Sequence, residues 1–290
     1  MNQSNSMTRH GPGDSDRQRC TPGNLVRNLC LGAALAIGLP GLAAAQSATA
    51  PPAGWQFEIT PYVWMAGMKG DVQSGSLPKT SLDVGFSDVL DVLDFALMGA
   101  FEARNGRWGL LFDAQYMKLS DSATAQRTGA GPIGASLTAS ADAEIEQTML
   151  AAAAAYRVST GPTLIDAIAG LRYMRLEVDA DIGASLFGPA GGGARAVSRS
   201  GSESWIDPYI GLRVQHPIAD RWTLEGYVDV GGFDVGSKFT VQASAGVIYD
   251  FSKTIAGKLG YRYLGVDYDD DGFLFDMEMQ GAYLGLGFRF

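Results

Sequence analysis

The chain closes on Gly281-Ala282-Tyr283-Leu284-Gly285-Leu286-Gly287-Phe288-Arg289-Phe290. Side chains alternate across a strand with a period of two, so Ala282, Leu284, Leu286, Phe288 and Phe290 share one face. Tyr283, Gly285, Gly287 and Arg289 share the other. An apolar strand of this kind at the edge of a soluble sheet is a template for pairing with other chains. As one stave of a closed barrel facing lipid it is satisfied on both sides.

Nine more segments of the same period lie upstream, each near the roughly 9–11 residues that a tilted spanning strand needs. They are Trp55–Met68, Asp94–Arg104, Arg107–Leu119, Ala141–Arg157, Leu164–Val178, Trp205–His216, Arg221–Val230, Phe239–Phe251 and Ile255–Val266; the last strand is Met277–Phe290. Asn105-Gly106 is a strong hairpin signal between the second and third. Ala141–Arg157 is the weak member. Its five alanines, Ala151 to Ala155, score for helix, yet no helical apolar stripe accompanies them. The turns at 105–106, 159–161, 219–220 and 252–253 are short. Segments 69–93, 120–140, 181–204 and 267–276 read as longer loops rich in Gly, Ser and Asp. Trp55, Trp108 and Trp222, with Tyr156, Phe251 and Phe290, recur at the short-turn ends, as an aromatic girdle would. These features predict an all-β fold, an antiparallel transmembrane barrel of about ten strands over residues 55–290. Eight or twelve strands are the alternatives, and a soluble β-sandwich is the competing fold.

At the other end of the chain, Arg17, Arg19 and Arg27 precede the apolar run Leu29–Ala45, which closes on Ala43-Ala44-Ala45. A basic start, a short apolar core and small residues at the end describe a secretory signal peptide over 1–45. The run is short for an anchor helix and is interrupted by Pro40. Residues 46–54 read as a linker. Both cysteines, Cys20 and Cys30, lie in the presequence, so disulfides and thiolate sites are not expected in the mature chain. Removing 1–45 leaves 18 Lys and Arg against 29 Asp and Glu. That acidity argues against nucleic acid as a partner.

The signal peptide, the alternating strands and the terminal Leu284, Leu286, Phe288, Phe290 pattern resemble the small outer-membrane β-barrel proteins of Gram-negative bacteria, porin-like and opacity-like families among them. The resemblance implies residence in the outer membrane, with lipid and lipopolysaccharide as neighbours. It implies that the terminal strand is read by the barrel assembly machinery. Such families include pores, adhesins, enzymes and scaffolds, so the fold alone leaves function open.

Period-two parity places Glu58, Glu102, Arg104, Asp113, Asp166, Arg172, Asp207, Arg213, Glu225, Asp229, Asp250, Lys258, Arg262 and Arg289 on the inward faces. Eight acids against six bases fit either a charged, narrow porin-like channel or a lumen filled by ion pairs. Unpaired charges in so tight a space would each cost several kcal/mol, roughly, and the near-balance favours pairing. Asp267, Asp269, Asp271, Gly272 and Glu278 match the calcium-loop pattern D-x-D-x-D-G-x5-E. Their flanks read as strands, where that loop needs helices. The alternatives are an acidic solvated hairpin and a looser divalent-cation site, so a loop-bound Ca2+ is the one cofactor considered. Catalysis has little footing. His216 is the one histidine of the mature part and sits beside a short turn. The expected function is a non-enzymatic outer-membrane barrel, either a narrow channel or a structural barrel presenting surface loops. Surface adhesion or ligand binding is the alternative.

Overall fold

The computed structural model describes residues 54–73, 79–128, 136–159, 161–188, 191–270 and 272–290. The expected signal peptide over 1–45, most of the expected linker and Asp271 lie outside the described residues.

Eleven antiparallel strands form one sheet. They are β1 (Trp55–Gln73), β2 (Thr80–Val84), β3 (Leu93–Asn105), β4 (Trp108–Thr128), β5 (Ser136–Arg157), β6 (Leu164–Gly188), β7 (Gly191–Ala219), β8 (Trp222–Gly232), β9 (Phe239–Asp250), β10 (Ile255–Asp270) and β11 (Phe273–Arg289). Ten of them close a ring. β11 returns to β1 in register from Glu58↔Arg289 to Gln73↔Leu274, and β1 meets β3 from Trp55↔Asn105 to Pro61↔Gly99. The short β2 adds to the edge of β1 above the ring, pairing Met68↔Val84 through Val72↔Thr80. The ten expected segments are the ten ring strands. The alanine-rich one is a strand because its neighbours supply ladders on both sides, which outweighs helical propensity.

Ile59, Val63, Leu97, Phe112, Leu171, Ile210, Leu224, Leu259, Leu284, Leu286 and Phe288 point outward and are exposed. At the short-turn end this apolar belt meets paired aromatics: Trp108 on Tyr156 at 4.9 Å, Trp222 on Tyr249 at 4.7 Å and Phe57 on Phe290 at 5.7 Å. At the other end it meets outward charges, Lys118 with Glu144 and Glu146, and Arg175 with Glu177. Between them, Trp108 to Tyr116 of β4 spans about 27 Å of strand, comparable to the roughly 25 Å apolar band of membrane barrels.

The expected loops at 120–140 and 181–204 are for the most part strand. The β3–β4 ladder ends at Leu93↔Leu119 and the β7–β8 ladder at Tyr209↔Gly231. The ladders β4–β5, β5–β6 and β6–β7 continue to Thr128↔Ser136, Ser136↔Phe187 and Gly188↔Gly191. A four-stranded sheet therefore rises beyond the belt on one side of the ring. The expected 69–93 loop holds β2 and one short helix, α1 (Phe86–Asp91), whose first turn is fastened by the Gly85 amide donating to the Asp88 carboxylate at 3.0 Å.

Candidate functional site

Among the described residues, buried polar and charged side chains concentrate in the lumen. All fourteen charges expected to face inward do so, and most are joined in networks. Nearest the short turns, Arg289 donates to Glu58 and to Asp250 at 2.6 Å each, and Lys258 donates to Glu58. Glu58 and Arg289 are register partners, so this cluster straddles the seam where the ring closes.

Across the lumen, Asp166 accepts from Arg104 at 2.8 Å, Arg157 at 2.9 Å and Arg213 at 2.8 Å. Glu102 accepts from Arg104 at 2.9 Å and Arg213 at 2.7 Å. Small residues make the room for this network. A Cβ on Gly109 would lie 3.2 Å from the Arg104 guanidinium, and Ala155 beside it is fully buried. The alanine run thus serves as floor space for arginines on the facing strands.

Above these layers Arg172 donates to Asp229 at 2.7 Å and stacks on the Tyr209 ring at 4.8 Å, while Tyr227 donates to Asp229 at 2.7 Å. Tyr62 donates to Asp113 at 2.9 Å, and Arg262 donates to Tyr62 at 3.2 Å and to Gln242 at 2.6 Å. Glu225 accepts from Gln215 at 2.7 Å. Asp207, like Glu225, is held by neutral donors and not by an ion pair. It is fully buried and accepts from the Ser237 amide at 2.6 Å, the Ser237 hydroxyl at 2.7 Å and the Trp205 indole at 3.2 Å. It thereby pins the β8–β9 turn, in which Phe233 and Asp234 adopt positive φ, over the lumen. A polar cavity of about 200 Å³ remains among these layers, lined by Tyr62, Arg172, Tyr227, Gln242 and Arg262 among others.

Toward the long-strand end the lumen is apolar. Trp64, Met149, Met174, Trp205, Leu264, Val266, Phe275, Met277 and Met279 form one buried cluster, with Trp205 stacked on Tyr268 at 4.1 Å. Arg157, the tyrosines Tyr62, Tyr209 and Tyr227, and this apolar layer are what the sequence reading missed. Parity carried the signal, because Arg157 and the buried methionines all fall on inward positions of their strands.

The calcium-loop pattern does not gather into one shell among the described residues. Asp267 and Asp269 lie within β10 and Glu278 within β11, with register partners Asp276, Leu274 and Gly265. A strand advances about 3.4 Å per residue, so ligands that a compact loop would bring together are spread along a hairpin. Asp269 pairs with Lys238 at 2.7 Å. The described residues hold no group of three or more metal-ligating side chains with suitable placement. They do hold an outward row of carboxylates beyond the belt, since Asp71, Asp276 and Asp267 are register neighbours on β1, β11 and β10. The hydrogen bond from Lys79 holds Asp71 below the usual carboxylate range. Partial burial raises Asp276, and the Asp267 and Asp71 charges beside it add to the shift.

A raised folded-state pKa means that the unfolded chain gives up this proton more readily. The contribution of Asp276 is therefore most favourable below its unfolded pKa and is lost as pH rises through the folded value. Asp276→Asn should raise the urea midpoint of the folded barrel at pH 7, and that gain should shrink to nothing as pH is brought below the ordinary aspartate range.

His216 accepts or donates a bond with Thr163 at 2.8 Å on the exposed rim of the short-turn end, three residues along β7 from Arg213 of the lumen network.

No family model and no curated protein matches the chain. Solved structures do. The outer membrane protease OmpT from Escherichia coli superposes with a TM-score of 0.53 at 11% identity, over 81% of this chain and 97% of that one. The translocator domain of the autotransporter NalP from Neisseria meningitidis is matched at 0.39 and 16% identity, over 92% and 98%. Ail, the attachment invasion locus protein of Yersinia pestis, is matched at 0.30 and 12%, over 82% and 100%. The likeness is one of fold: a closed antiparallel barrel of the kind found in Gram-negative outer membranes.

Proposed function

We propose that the chain is a closed, non-enzymatic outer-membrane barrel whose role is to hold the four-stranded sheet of β4–β7 beyond the membrane surface. The observation that carries this reading is the filled lumen. A layer of paired charges, with a polar cavity of about 200 Å³ among them, lies under a cap of buried aromatic and methionine side chains. Short turns face the periplasm in such barrels; on this reading the sheet and the Asp71–Asp276–Asp267 row lie on the outer side, against lipopolysaccharide. The raised sheet exposes Leu137, Ile182, Leu186, Phe187 and Val197. Apolar groups displayed on a projecting sheet suit contact with a partner better than they suit transport. The rim position of His216, already engaged with Thr163, supports a role without catalysis.

Planar bilayer recording of the refolded protein tests the reading. Silence at high protein is the expected result, and a reproducible unit conductance would replace it with a narrow channel.

A further inference from the structure

The wall of the barrel has a window. The β1–β3 ladder stops at Pro61↔Gly99, and β2 occupies the same edge of β1 only from Met68. Residues 62–67 of β1 and 93–98 of β3 therefore face each other with no ladder between them. Helix α1 sits at this gap, and its Val89 is buried. The close approach depends on Gly67, where a Cβ would lie 2.9 Å from the Val84 carbonyl oxygen.

Behind the window is a second cavity, of about 90 Å³. It runs from Val89 and Leu93 at the wall to Trp64, Met98, Met117 and Met149 inside. Its two amides are occupied: Gln115 donates to Asp113 at 2.8 Å, and Gln147 donates to the Met279 sulfur at 3.8 Å. The rest of the lining is apolar and thioether surface that adapts its shape to a guest.

Depth identifies the guest. Val63, Phe95 and Leu97 flank the window on the outside and are all more than half exposed, and Leu97 pairs with Tyr116 at the edge of the apolar belt. Outward charges begin at the upper half of the window: Lys118 is the register partner of Phe95, Asp88 and Asp91 of α1 are exposed, and Lys69 pairs with Asp83 at 2.8 Å. The lower half of the window faces hydrocarbon and its upper half the charged zone at the edge of the belt. An apolar cavity of about 150 Å³ accommodates a benzene ring. One of 90 Å³ with an open side takes a slimmer group whose remainder stays outside.

We infer that this window is a lateral binding slot for the end of an acyl chain, supplied by a lipid of the surrounding bilayer. The chain enters between β1 and β3 beneath α1 and ends against Trp64 and the methionines. The inference goes beyond the surface-presenting role and does not rest on it.

Trp64 is the reporter. Only 7% exposed, it lines the cavity from the lumen side. The full chain is refolded into vesicles of phosphatidylcholine brominated along its acyl chains, and tryptophan emission is compared with that in unbrominated vesicles. Subtracting Trp64→Phe isolates the Trp64 share. That share should fall at least twofold in the brominated vesicles. Ala96→Phe and Met98→Phe, which fill the slot at its mouth and inside, should each restore it, provided heat-modifiable gel mobility shows them folded. These two fillers keep Trp64 at the same distance from bulk lipid, so quenching that persists equally in both would overturn the proposal. So would an unquenched Trp64 share in the wild type. Quenching by a free brominated fatty acid alone, without quenching by brominated lipid, would overturn the assignment to bilayer lipid.

Discussion

Replacing Asp166 with alanine is expected to destabilise the folded barrel by about 3–5 kcal/mol, the range found when one partner of a buried ion pair is removed. Asp166 is 1% exposed and is the shared acceptor of Arg104, Arg157 and Arg213. Without it, three guanidiniums remain with Glu102 as the carboxylate that bridges Arg104 and Arg213. Two of those arginines are themselves at most about a tenth exposed. The mutual repulsion of the three guanidiniums adds to the lost hydrogen bonds. Asp166→Asn keeps the shape and loses the charge, so it should fall in the same range. Arg175→Ala provides the contrast. That arginine pairs with Glu177 on the outer face with both partners well exposed, and such surface pairs contribute about 0–1 kcal/mol. Urea unfolding in vesicles of matched composition measures all three. An Asp166→Ala midpoint indistinguishable from that of Arg175→Ala would mean that the network is not holding the wall.

The outward half of the barrel was legible because lipid demands it. Every ring strand must show apolar residues at alternate positions, so Leu284, Leu286 and Phe288 reveal their strand as surely as Leu224 and Val228 reveal theirs. The inward charges were legible by subtraction, being the polar residues left at the other parity. The apolar end of the lumen was not. Leu264, Val266, Met277 and Met279 sit at inward positions, where an apolar residue looks like a lapse in the alternation and not like a plug.

Beyond the belt the solvent is the same on both faces, and the pattern that identified strands disappears. Polar stretches such as 136–140 and 191–202 then read as loops, although long ladders hold them as sheet. The calcium-loop pattern carries little weight for a related reason. Spacing along the chain says nothing of distance until the backbone between ligands is known to be compact or extended. The window between β1 and β3 left no trace in composition. It arises because one edge of β1 is shared by two partners in turn, a property of pairing and not of any residue.

Gly281→Ala should prevent the ring from closing. Gly281 lies in β11 opposite Ala66, at the middle of the seam that joins the last strand to the first. A Cβ there would fall 1.8 Å from the Met65 carbonyl oxygen and 2.6 Å from its carbon. Those are backbone atoms, and no rotamer change relieves the overlap. The indole of Trp64 also donates to the Gly281 carbonyl at 3.3 Å, holding the two strands together from the lumen side. To admit a methyl group β1 must move away from β11, and the ladder between them must open. In hydrocarbon the freed N–H and C=O groups find no water, and each costs several kcal/mol, roughly. The seam can then neither stay shut nor open cheaply, so the loss should exceed about 4 kcal/mol, a size confined to a few mechanisms of this kind. Gly226→Ala is the control, since a Cβ at that strand position meets nothing within 4 Å. Refolding into vesicles, read as the heat-modifiable fraction on a gel, should give wild-type yield for Gly226→Ala and little folded protein for Gly281→Ala. Equal yields would show that β1 and β11 do not approach as closely as this seam requires.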